Sequence, residues 1–126
     1  MLALIIALAG QVGQTDLRPS PGFNPVGFYC AWPWEKKKVV RRFNIHLPTS
    51  IWQDEDGSWY PIKDIGATVI TLADGTNDTG RRVITLNRLS LELIVNTHLK
   101  EQNLTISDSY VCHTGPAVDW TEGRKF

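Results

Sequence analysis

The chain has 126 residues, with thirteen basic and thirteen acidic side chains and a formal net charge of zero. That length makes one domain with a single hydrophobic core, able to fold without a metal or a disulfide. The balanced charge excludes a global field that would draw the protein to nucleic acid, an anionic membrane or an acidic substrate.

Residues 1–13 open with Met-Leu-Ala-Leu-Ile-Ile-Ala-Leu-Ala-Gly. This apolar run is half of the roughly 20 residues a membrane-spanning helix needs, so no transmembrane span is expected. Two readings of the segment stand. It is an arm that packs on a neighbouring subunit through Leu4, Ile5, Ile6 and Leu8, or it is the apolar region of a secretory signal ending at Ala7-Leu8-Ala9. Against the signal, the first positive charge is Arg18, so no basic region precedes the apolar one. Residues 14–26 hold Pro19, Pro21 and Pro25, which stiffen an extended spacer and disfavour helix.

The body, residues 27–126, is expected to be all-β. Strands are predicted over 27–32, stopped by Pro33, and over 39–47, stopped by Pro48. In the second, Phe43, Ile45 and Leu47 take the inner phase, and Arg42, Asn44 and His46 face solvent. Ile51-Trp52 and Trp59-Tyr60 flank Asp56-Gly57, a hairpin-turn dipeptide. Residues 67–72 and 82–86 flank a second predicted turn at 73–80, and their pairing sets Ile70 and Leu72 beside Ile84 and Leu86. Residues 86–103 contain good helix formers, yet Leu89, Leu91, Leu93 and Val95 alternate, and a strand is predicted over 89–96 with a turn over 97–102. The last strand, 104–112, alternates Leu104, Ile106, Asp108, Tyr110 and Cys112 against hydroxyl side chains and Val111. Ile70, Ile84, Leu91, Leu93, Ile106 and Tyr110 are the predicted core. About seven or eight such short strands point to a small β-sandwich or barrel, with the N-terminal arm outside it.

The chemistry-bearing residues are few. Glu35-Lys-Lys-Lys-Val-Val-Arg-Arg42 is the densest charge run, and it reads as a solvated strand edge that blocks unwanted pairing. With net charge at zero, nucleic acid is not an expected partner. His46, His98 and His113 are scattered, and Asp54-Glu55-Asp56 sits on a hairpin tip, so neither metal nor cofactor is expected. Serines 50, 58, 90, 107 and 109 lack a nucleophile elbow. A Cys112 nucleophile with His46 or His98 and Asp108 reads as weaker than an inert core cysteine. The chain is expected not to be an enzyme.

Cys30 and Cys112 leave two alternatives, one bridge in a secreted protein or two free thiols in an intracellular core. Sequons at Asn77 and Asn103 belong to the first. Tyr110-Val-Cys112, following Leu104-Thr-Ile-Ser, resembles the tyrosine corner of immunoglobulin-like domains. The resemblance covers about nine residues. It implies a Cys30–Cys112 bridge and a hydrogen bond from Tyr110 to nearby backbone. Two departures stand beside it: Asp108 lies within the run, and no Trp follows Cys30 at a strand's length.

The first expectation for function is a non-catalytic structural subunit of a larger assembly, virion- or tail-like. It is oligomeric and acts through contact with other protein subunits by its arm and Trp34. The alternative is a secreted immunoglobulin-like recognition module that binds protein or carbohydrate.

Overall fold

The computed structural model describes residues 24–120. Nine strands follow one another: β1 (Val26–Ala31), β2 (Val39–His46), β3 (Ile51–Gln53), β4 (Trp59–Pro61), β5 (Asp64–Ile65), β6 (Val69–Asn77), β7 (Gly80–Asn87), β8 (Glu92–Leu99) and β9 (Leu104–Gly115). All pairings are antiparallel and belong to a single sheet in the order β4-β3-β2-β1-β9-β8-β7-β6-β5. The fold is therefore all-β, a curled half-barrel rather than two stacked sheets. Two meanders, β1–β4 and β5–β9, are joined where the first and last strands pair.

The curl has a hydrophobic cause. Phe43 and Trp52 from one meander enter the same core as Ile70, Leu72, Ile84 and Leu86 from the other. A flat sheet would leave both apolar faces in water, at about 25 cal/mol for each Å² exposed. The two sheet edges, β4 and β5, are separated only by Ile62 and Lys63. The Ile62 amide donates to the Ser50 carbonyl and the Lys63 amide to the Thr71 carbonyl, one bond to each half. Ile62 itself is buried in the core.

Ile70 pairs with Leu86, and Leu72, Ile84 and Leu86 are all buried, as the hairpin pattern predicts. The turn differs. Asp74-Gly75 lies inside β6, opposite Val83 and Arg82, and the chain reverses at Asp78-Thr79. The Asn77 side chain explains this, because its Oδ1 accepts from the Thr79 and Gly80 amides and closes the turn there.

The strand predicted over 89–96 begins at Glu92 and runs to Leu99. Asn87 Oδ1 takes the Leu89 and Ser90 amides, and Leu91 adopts φ 60°, so this stretch is a turn that leaves Leu89 exposed. Ile106 and Leu104 are exposed as well, and Tyr110 and Leu91 are half-buried, which corrects the predicted core. The phase of β9 is right, but among the described residues nothing covers its first four positions.

The alternation in β2 also fails on one side. Asn44 and His46 are both buried: the chain after β9 crosses Asn44, whose Nδ2 donates to the Val118 carbonyl and whose Oδ1 accepts from the Val118 amide, and His46 bonds Thr49 of the segment that follows β2. The basic run is no edge, since β2 lies between β1 and β3. Within it, Arg41 is buried against Asp54 at 3.3 Å, while Lys36, Lys37 and Lys38 occupy an exposed turn.

Candidate functional site

Cys30 and Cys112 are register partners on β1 and β9, their Cα atoms 4.0 Å apart, and they form a disulfide. The bridge spans the junction of the two meanders. It removes Cys112 from nucleophilic chemistry. His98 bonds Thr105, His113 stacks on Tyr29, and His46 shares a 2.6 Å hydrogen bond with Thr49, so the histidines sit in three separate places. Among the described residues no group of His, Cys, Asp or Glu could hold a metal ion, and no helix is long and apolar enough to cross a membrane.

Leu4, Ile5, Ile6 and Leu8 lie outside the described residues, as does most of the spacer. Trp34 is 77% exposed. It stacks on Trp32 with ring centroids 5.1 Å apart, and Trp32 stacks in turn on Tyr110 at 4.6 Å. Tyr110 thus packs its ring and donates no backbone hydrogen bond among the described residues. With the single curled sheet, this sets the chain apart from the immunoglobulin-like pattern. Tyr29 makes the comparable bond instead, from its hydroxyl to the Pro116 carbonyl at 2.6 Å. Asn77 and Asn103 are both exposed on turns, Asn77 holding Thr79 through its amide oxygen and Asn103 at φ 49°.

The feature that the sequence does not announce is a cleft of about 530 Å³ where the half-barrel fails to close. One wall is the β3–β4 hairpin, with Trp52 at the floor and Tyr60 toward solvent, their rings 5.8 Å apart. The other wall is β6 and β7, which present Ala73, Gly75 and Arg82, and Lys63 closes one side. The Trp52 indole is 2% exposed and its Nε1–H has no partner among the described residues. A buried donor left unmade costs about 1–3 kcal/mol.

The cleft's charges are unevenly matched. Asp54 is held by Arg41, and Asp74 by a two-pronged contact with Arg81 at 2.7 and 2.9 Å. The Arg81 hydrogen bond keeps the Asp74 carboxyl below its ordinary range. Tyr60 donates to Asp56, and that bond, with the carboxylate's charge, raises the phenol above the ordinary tyrosine range. The Arg82 guanidinium makes no hydrogen bond or ion pair among the described residues, and Lys63 acts on Asp74 only at a distance.

These residues come from strands up to thirty positions apart, and no spacing in the sequence links them. One signal was available: Arg82 sits on the same phase as Ile84 and Leu86, a cation pointing inward. Comparison with protein-family models, with curated proteins and with solved structures found no match for this chain.

Proposed function

We propose that this chain is a non-catalytic recognition module of an oxidising compartment, binding a protein or carbohydrate partner by surface contact. The observation that supports it is the Cys30–Cys112 disulfide. Such bridges persist in secreted and extracellular proteins and are rare where thiols are kept reduced. Exposed sequons at Asn77 and Asn103 accord with that compartment. Trp34 is the contact residue of this reading. Its stack on Trp32, which is itself stacked on Tyr110, fixes a large apolar ring in place before a partner arrives, so little side-chain freedom is lost on binding.

The test is the intact mass of the protein made from its full sequence in secreting eukaryotic cells. Recovery from the medium is expected, with a deficit of about two daltons for the thiol hydrogens lost and with glycan mass on Asn77 and Asn103. Retention inside the cell with both thiols free overturns the reading. Capture of a native partner should fall when Trp34→Ala replaces the exposed ring.

The assembly-subunit reading takes second place, and one observation favours it. An apolar hollow of about 330 Å³ lies between β1–β2 and β6–β7, lined by Val26, Phe28, Ile45, Ile70 and Leu86, with Asn24 at its rim. Under this reading the arm of residues 1–13 makes the subunit contact. Deleting residues 1–13 should then abolish oligomers while leaving the body folded, whereas an unchanged oligomeric state removes the assembly reading.

A further inference from the structure

We propose that the cleft between β3–β4 and β6–β7 binds an anionic sugar of the uronic-acid class, one sugar ring laying its apolar face on the cleft wall. The inference rests on the recognition reading and gives it a site. Its volume falls within the range of about 300–1,000 Å³ usual for small-ligand sites, and the mouth of a β-barrel is a common place for one.

Two observations define the chemistry, an exposed ring and a pair of cations. Tyr60, 38% exposed, offers a ring face at the cleft's wall for the apolar face of a sugar. Trp52 lines the floor beneath that ring, so the signal of its buried indole N–H reports whether the cleft is occupied. Lys63 and Arg82 remain as cations whose neighbouring carboxylates are already engaged by Arg41 and Arg81. A carboxylate on the ligand therefore completes the cleft electrostatically. Arg82 in particular can grip it with two parallel hydrogen bonds. A neutral sugar would leave both cations unmatched.

The cleft also has open space at its Gly75 side. A Cβ placed on Gly75 would meet no atom within 4 Å, so the space beside Arg82 is empty of protein. Gly75 pairs with Arg82 across β6 and β7, which puts that space next to the cation.

The experiment is an NMR titration of the isotopically labelled, oxidised 126-residue protein with trigalacturonate, galactotriose and phenylacetate. Trigalacturonate is expected to shift the indole N–H signal assigned to Trp52 by the Trp52→Phe variant. Its affinity should fall about tenfold or more in Arg82→Gln and again in Lys63→Gln, as expected for lost hydrogen bonds to a charged group. Gly75→Phe should fill the space and abolish binding. Arg82→Gln alters an exposed side chain, so it reports even if Gly75→Phe disturbs the fold. Binding of phenylacetate alone, even if dependent on Arg82, overturns the uronic-acid assignment in favour of an aromatic acid. Equal binding of galactotriose and trigalacturonate overturns the proposal, as do shifts that survive Arg82→Gln or the absence of any shift. None of these outcomes bears on the mass measurement, so the site and the recognition reading can fail separately.

Discussion

Leu93 and Ile106 lie on the concave phase of neighbouring strands, yet Leu93 is fully buried and Ile106 is 43% exposed. Each sits in a row of residues crossing the sheet. Ile70, Leu86, Leu93 and Tyr110 form one row, and Gly75, Arg82, Thr97 and Ile106 form another. The first row meets the core side chains of β1–β3. Above the second, β3 and β4 are only three residues each, and they leave the row uncovered. The same alternation thus produces a core at one end of the sheet and an open cleft at the other. Alternation decides which side chains share a face; the length of the facing strands decides whether that face is dry.

The sharpest way to break this contrast is to remove the bridge that holds the covered end together. Replacing Cys30 and Cys112 by Ala should cost about 4 kcal/mol, since the crosslink joins positions 82 residues apart and loop-closure entropy grows with length. Equilibrium unfolding in denaturant measures it. In the closed row, Leu93→Ala should cost about 3 kcal/mol through lost burial and a residual cavity, read from the same midpoint. An unchanged midpoint would mean that the row is not packed.

Smaller effects sharpen the boundary between the two ends. Asp54→Ala leaves the Arg41 guanidinium, 9% exposed, without its carboxylate, and should cost about 1–3 kcal/mol. In the open row, Ile106→Ala should stay within about 0.5 kcal/mol of the parent. A loss comparable to that of Leu93→Ala would show that some partner covers the cleft end.

The smallest effect concerns the cleft's wall. Tyr60 should titrate above ordinary tyrosines, followed by its ultraviolet absorbance, and Asp56→Asn should bring it down. The folded pKa is raised, so the stabilising contribution is complete below the unfolded value and disappears as pH rises through the folded one. The Tyr60–Asp56 contact therefore loosens on the alkaline side, above about pH 10.

Much of the strand content was legible from local pattern. The inner phases of 67–72, 82–86 and 93–95 can be read from alternation alone, and the Asp56-Gly57 turn from its dipeptide. Other features were hidden. Asp74-Gly75 looks like a turn, but Asn77 supplies stronger local hydrogen bonds three residues later. Leu89 looks like strand, but Asn87 takes its amide first. The candidate cleft was scarcely legible, because Trp52, Tyr60, Lys63 and Arg82 meet only when the sheet curls. Arg82 alone betrayed itself, by carrying charge on an apolar phase.

What the sequence by itself determined is the all-β class and the faces of the central strands, because both follow from a two-residue period and turn chemistry within a few positions. Tertiary structure alone decided that β1 pairs with β9, that β2 lies inside the sheet with Asn44 and His46 buried, and that one end of the concave face stays open. Those outcomes depend on which distant strands meet and how far each extends. Local pattern carries no term for either, whereas burial of the shared core fixes both.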